Sequence, residues 1–163
     1  MAQEDYIELL SSLAIRSVSL GYKTVHIHLP GELPDAQLGY SIDPEGNSLI
    51  GKQDGDWKEN WIVIGYEDLC GDPIFIDTFG DGFPVYTAMH GTGSWEPELI
   101  AASLTGLMGA MEIMAAVSVG REHSVALEAK AITPEVQSRT LEEIARLNPG
   151  ADLSFWELWM TTE

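Results

Sequence analysis

Short apolar segments separated by turn residues constrain this fold more than any other feature of the sequence. Four such segments occur, at residues 23–29, 61–64, 74–78 and 84–88. In the first, Val25 and Ile27 share one face of a strand while His26 and His28 share the other, the period-two pattern of a half-buried strand. A Gly-Asp-Gly sequence at 80–82 is a tight-turn signal between two of the runs. Strands this short predict an antiparallel meander.

Helical periodicity surrounds these strands. We predict a first helix over residues 4–20, a middle helix beyond Trp95 and a last one over residues 133–147, started by Thr133 with a proline behind it. Residues 31–60 are dense in Gly, Pro, Asp and Asn, which predicts loops and short strands. The sequence therefore predicts one α+β domain over residues 1–163. Its central antiparallel sheet of short strands is flanked by N-terminal, middle and C-terminal helices.

The apolar stretch at residues 97–119 requires a test for membrane insertion. It carries Glu98 and Glu112, and a lipid-spanning helix rarely holds a carboxylate near its middle. We therefore expect a helix buried in a globular core. The N-terminal residues are acidic and lack the basic-then-apolar order of a secretory signal, so we expect a cytoplasmic protein without membrane contact. The single cysteine, Cys70, excludes an intramolecular disulfide.

Charge points to the class of partner. Eight basic side chains face 26 acidic ones, a formal net charge of −18. Such a surface repels phosphates, so we expect no direct contact with nucleic acid. It attracts basic proteins and speeds encounters with them, although acidity also serves solubility alone. The apolar tail with Trp156 and Trp159 either closes the core or forms a dimer contact, and we expect a monomer or weak homodimer.

No sequence motif indicates catalysis. The segment at 91–96 begins like a dinucleotide-binding loop but lacks its last glycine and a βαβ context. His26 and His28 share a strand face and are an alternative metal pair, but two polar residues on a solvent face is the favoured interpretation. A small hydrolase, the hypothesis ranked last, would need Cys70 with His90, or carboxylates such as the Asp72 and Asp77 pair. We expect no catalytic residue, cofactor or metal.

Five short motifs carry a resemblance. They are WIVIG at 61–65, GDPIFID at 71–77, PVY at 84–86, HG at 90–91 and IAASL at 100–104. Their order and spacing over residues 61–108 resemble the SUKH superfamily of yeast Smi/Knr-type cell-wall regulators and their bacterial relatives. The chain departs from that pattern earlier. Leu33 and Pro34 are present, but we expect little room for the short helix that follows in relatives.

The resemblance implies non-catalytic binding. Bacterial SUKH proteins are associated with polymorphic toxin systems, where many are immunity proteins that bind and block a toxin, often a nuclease. We therefore expect an immunity protein for a basic toxin domain. The alternative is an intracellular regulatory or scaffold domain of the same fold. Candidate contacts combine loop carboxylates with nearby aromatic rings. They are Asp54, Asp56, Trp57, Tyr66, Glu67 and Asp68. The alternative is that Trp57 packs on the sheet and the acids are only solvated.

Overall fold

A computed structural model describes residues 2–162, with side chains described from Tyr6 onward. The strands are β1 (Ser17–Leu20), β2 (Lys23–Ile27), β3 (Trp61–Glu67), β4 (Pro73–Asp77), β5 (Val85–Thr87) and β6 (Glu98–Ala101). The helices are α1 (Ala2–Ser11), α2 (Leu33–Ala36), α3 (Leu104–Ser118), α4 (Ser124–Ala129), α5 (Pro134–Leu147) and α6 (Ser154–Trp159). The six strands form one antiparallel sheet in chain order. The predicted α+β domain built on a meander is confirmed.

The predicted first helix is wrong over its second half. Helix α1 ends at Ser11, and Ser17–Leu20 forms strand β1, which pairs with β2. Val18 and Leu20 are buried and alternate with two serines, so period two rather than 3.6 governs this stretch. Gly21 takes a positive φ of 59° in the turn that reverses the chain. The hairpin places β1 at one edge of the sheet and β2 next to it.

Two further elements differ from expectation. The middle helix begins only at Leu104, capped by Ser103, because residues 98–101 form edge strand β6. Residues 31–60 contain isolated β-bridges and the four-residue helix α2, which starts at Leu33 where little room was expected. The N-terminus of α5 agrees with the sequence, since Thr133 accepts the N–H of Val136.

Both faces of the central strands are covered. Ile64, Ile74 and Ile76 point into the main core under helices α1, α3, α5 and α6. Val63 and Phe75 point the other way, into a second core centred on Trp57 from the long β2–β3 connection. Strand β4 is therefore buried at four consecutive positions, the pattern of a strand packed on both sides. The fold has two cores separated by one sheet.

Asn148 connects three elements of the main core. Its side chain is buried, and its Oδ1 accepts the N–H of Ala102 at 2.9 Å. Its Nδ2 donates to the carbonyls of Gly106 and Ile144, each at 3.1 Å. A Cβ on Gly106 would lie 2.0 Å from the Asn148 Oδ1, so α3 approaches closely only because glycine is there. One amide thus fixes α5 and α3 against the end of β6.

We expect Asn148→Ala to lower the free energy of unfolding by about 2–4 kcal/mol, since it leaves buried backbone groups without partners. Urea denaturation measures the change. The control is Ser138→Ala on the exposed face of the same helix, which should change stability by no more than about 0.5 kcal/mol. Equal midpoints for the two variants would contradict this role for the amide.

Candidate functional site

A cleft of about 580 Å³ opens at one end of the sheet. In a meander, the β1–β2, β3–β4 and β5–β6 connections all lie at the same end, and here each contributes to the cleft walls. Helix α6 closes the remaining side. Two indole N–H groups hold this helix in place: Trp159 donates to the Lys23 carbonyl at 3.1 Å, and Trp156 donates to the Ile100 carbonyl at 2.9 Å.

Lys23 is the one cation among the described residues that line the cleft. Its Nζ lies 4.3 Å from the ring centroid of Phe155 and 5.5 Å from that of Trp159, within cation–π range. Burial lowers the pKa of Lys23, and nearby carboxylates, led by Glu67, act in the opposite direction. The ammonium therefore lies against two ring faces, with carboxylates near enough to affect its pKa.

Four carboxylates line the same cleft: Glu67, Asp72, Glu96 and Glu98. Glu67 is 4% exposed, and its Oε1 accepts the N–H groups of Cys70 and Asp72, both at 3.0 Å. Asp72 Oδ1 accepts the N–H of His90 at 3.1 Å and lies 2.7 Å from the His90 Nδ1. These bonds shape the β3–β4 turn and connect it to the β5–β6 loop. With one ammonium against four acids, the cleft is acidic.

The surroundings of Glu98 disfavour its charged form. Partial burial raises the pKa of its carboxyl, and the neighbouring charge of Asp152 raises it further. The Ser154 hydroxyl contacts Glu98 at 3.5 Å but lies closer to Asp152, at 2.7 Å. The ionised form of Glu98 is therefore poorly compensated within the described part of the chain.

Apolar side chains surround the acidic lining. Leu69 in the β3–β4 turn is 61% exposed, while Met89 in the β5–β6 loop and Leu158 on α6 are each 66% exposed. Tyr22 completes the rim, and its hydroxyl donates to Glu128. Exposed apolar groups around a polar hollow are typical of surfaces that bind another protein.

The predicted contact residues are divided among three places. Glu67 lines the cleft, and Asp68 at the same turn accepts the N–H of Thr24 at 2.6 Å. Tyr66 lies on the opposite face of the sheet, because strand residues alternate, and its ring contacts those of His26 and His28.

Trp57 requires a correction as a contact residue, because it is only 1% exposed. It lies at the centre of the second core, where its ring contacts Trp61, Trp95 and Phe75 and its Nε1 donates to the Trp61 carbonyl. Trp57 therefore packs on the sheet and is not available to contact a partner.

Asp54 and Asp56 remain near the surface beside Trp57. Asp54 is exposed, and Asp56 Oδ2 accepts the N–H of Gln53 at 3.0 Å. Gly55 between them accepts the N–H of Trp95 at 2.8 Å, so this loop lies against the β5–β6 loop that lines the cleft. The two aspartates therefore lie beside the cleft, separated from it by the β5–β6 loop.

Sequence reasoning missed the apolar rim and two acids of the cleft, Glu98 at the start of β6 and Glu96 just before it. Leu69, Met89 and Leu158 come from segments far apart in the chain, and only the meander topology brings them together. On α6, Leu158 is exposed although the nearby Trp156 and Trp159 are 0% and 2% exposed. The tail does close the core, while Leu158 faces outward.

Cys70, Asp72 and His90 lie together, as a thiol hydrolase would require. The environment works against a reactive thiolate, however. Desolvation raises the pKa of Cys70, and the charges of Glu67 and Asp72 raise it further, whereas a nucleophilic cysteine needs surroundings that lower it. Asp72 is already bonded to the His90 Nδ1. The arrangement supports a structural connection between two loops rather than an activated nucleophile.

Two groups of side chains within the described residues bring potential metal ligands within 4.8 Å of one another. They are His26 with His28 and Glu32, and Glu67 with Cys70 and Asp72. In the second group the carboxylates already accept backbone N–H groups that define the turn. In the first group, the His28 Nδ1 is buried without a hydrogen-bond partner.

Comparison with family models, with curated proteins and with solved structures finds no match. No helix in the described residues is long and apolar enough to cross a membrane, and the apolar stretch after Pro97 folds as β6 and the core helix α3.

We expect Glu98→Gln to raise the melting temperature at neutral pH, because the amide mimics the protonated form that the site prefers. The raised folded-state pKa means that the stabilisation from protonated Glu98 is full below the ordinary value of 4.5 and is lost as pH rises through the folded-state value. The advantage of the variant should therefore shrink as pH falls through the folded-state pKa and be smallest below 4.5. Thermal unfolding followed across pH measures this. A pH-independent difference, or a destabilised variant, would contradict the assignment.

Proposed function

We propose that this chain is a cytoplasmic, non-catalytic protein-binding domain of the immunity type, which neutralises a basic toxin, of the nuclease class, by direct binding. The observation that carries the proposal is the composition of the cleft. Four carboxylates and one ammonium form its lining, and exposed apolar side chains form its rim. Basic side chains suit the lining, and apolar contacts at the rim supply affinity.

The size of the cleft favours a particular mode of binding. A volume of about 580 Å³ holds one or two long side chains rather than a folded element. An arginine or lysine presented by a loop of the partner would place its charge between Asp72 and Glu98 and its aliphatic stem against Leu158. A nuclease presents such cations in its phosphate-binding site, so a plug of this kind would also block its substrate.

Electrostatics acts at two ranges in this proposal. The net charge of −18 speeds the approach of a basic partner over distances limited by salt screening. At contact, the carboxylate of Glu98, which receives only the long hydrogen bond from Ser154, would gain a counter-charge. A group that costs stability in the free protein and is relieved by a ligand is typical of a binding site.

The resemblance over residues 61–108 supports the same conclusion. Two of its motifs, GDPIFID at 71–77 and PVY at 84–86, form β4, β5 and the turn that carries Asp72. Those strands support the cleft, so the part of the chain that resembles the SUKH superfamily is also the part that positions the candidate site. A regulatory or scaffold domain would use the same surface with a different basic partner.

The sharpest test compares two hairpin turns of strand β4. Leu69 lies in the β3–β4 turn at the cleft, and Phe79 lies in the β4–β5 turn at the opposite end of the sheet. They are 61% and 74% exposed, so a lysine at either position should leave the fold intact. We expect Leu69→Lys to weaken binding to a basic toxin encoded beside the gene at least about 10-fold, a loss of about 1.4 kcal/mol. Phe79→Lys should bind like the parent chain.

Pull-down and co-expression rescue against that toxin measure the effect, at two salt concentrations. Affinity should fall steeply with salt if the cleft binds through charge. Rescue by the Leu69→Lys chain as good as that by the parent would overturn the cleft as the binding site. A basic partner that is not a toxin, bound with the same dependence on Leu69, would replace the immunity role with the regulatory one.

A further inference from the structure

Three potential metal ligands meet on the side of the sheet opposite the main core. His26 and His28 project from β2 and the residue just beyond it, and Glu32 comes from the short turn that follows. One ligand atom from each lies within 4.8 Å of the others. The imidazole ring centroids are 5.4 Å apart. Two imidazoles and one carboxylate form a donor set that binds zinc in proteins.

His28 supplies the observation that distinguishes this group. Its Nδ1 is buried and has no hydrogen-bond partner, which is costly for a polar atom. The nearest carboxylate oxygen, Glu32 Oε1, lies 3.7 Å away, too far for a hydrogen bond. Two ligand atoms on one tetrahedral zinc ion, at bond lengths of about 2.0–2.2 Å, lie about 3.3–3.6 Å apart. The observed separation is close to that of two ligands around a shared cation.

The local structure holds these groups before any ion binds. Glu32 Oε1 accepts the N–H of Leu29 at 2.8 Å, and the Glu32 N–H donates to the Leu29 carbonyl at 2.9 Å. The His28 carbonyl accepts from the Arg16 guanidinium at 2.8 Å, and the His28 N–H donates to the Ile64 carbonyl. The backbone on both sides of the three ligands is therefore fixed, which reduces the entropy lost on binding.

We propose that His26, His28 and Glu32 form a zinc site with three protein ligands. Three ligands leave one position of a tetrahedral ion open to water or to a donor group from another molecule. The strongly acidic surface raises the local concentration of cations. The site is separate from the cleft, because Lys23 opens β2 at the cleft end whereas His28 follows its other end. It therefore stands independently of the proposed toxin-binding role.

Titration calorimetry of the full chain with zinc chloride tests the site, in excess magnesium chloride to occupy surface carboxylates. Magnesium prefers oxygen ligands, so it competes for acidic patches but not for imidazoles. We expect one zinc ion per chain, and at least about 10-fold weaker binding in His28→Gln. Glu32→Gln is the matched variant, because its amide oxygen still accepts the Leu29 N–H while the anionic ligand is lost. It should also weaken binding.

Cys70→Ser, in the other candidate group, and His90→Gln, whose ring contacts Asp72 of that group, are the controls and should bind zinc like the parent chain. Cobalt gives a second readout, since the visible absorption of a tetrahedral complex should appear in the parent and be lost in His28→Gln. Unchanged affinity in both His28→Gln and Glu32→Gln would overturn the proposal. So would zinc uptake that magnesium abolishes, or a loss of affinity confined to the Cys70 and His90 variants.

Discussion

The rest of the structure depends on the burial of strands β3 and β4 on both faces. A strand covered on one side can leave its other side polar, but β4 is apolar at four consecutive positions and needs two packing layers. Helices supply one layer. The long β2–β3 connection supplies the other by placing Trp57 against Phe75, with ring centroids 4.8 Å apart. An irregular segment of this length keeps a fixed course because its aromatic residues have a sheet to pack on.

This arrangement also determines where a partner can bind. The helices and the long connection cover the two faces of the sheet, and the cleft lies at one end of it, where three hairpin connections meet α6. The same hairpins bring Glu67 and Asp72 into the lining, with Leu69 between them at the rim. At the other end of β2, the turn after Ile27 brings Glu32 to the two histidines. Binding groups therefore collect at the strand ends, while strand interiors provide stability.

The sequence predicted the individual helices and strands better than the tertiary contacts between them. Short apolar runs bounded by glycine identified β3, β4 and β5, and Thr133 identified the start of α5, because these signals are local. Helical spacing of apolar residues from Ile7 onward, with Gly21 as the stop, extends the predicted helix over residues 17–20, where the strand alternation is only two residues deep. Trp57 was read as a contact because its neighbours are acidic, whereas the partner rings that bury it come from distant strands. Leu158 and Glu32 depend on tertiary contacts that no local pattern encodes.

We propose that the cleft at the hairpin end of the sheet receives a basic partner. Hydrogen–deuterium exchange of the full chain, free and bound to the basic protein encoded beside its gene, tests this most directly. We expect slower exchange in residues 67–73 and 88–98 and in α6, with no change in the β4–β5 turn at residues 78–83. Protection confined to that turn, or to residues 38–50 of the β2–β3 connection, would contradict it.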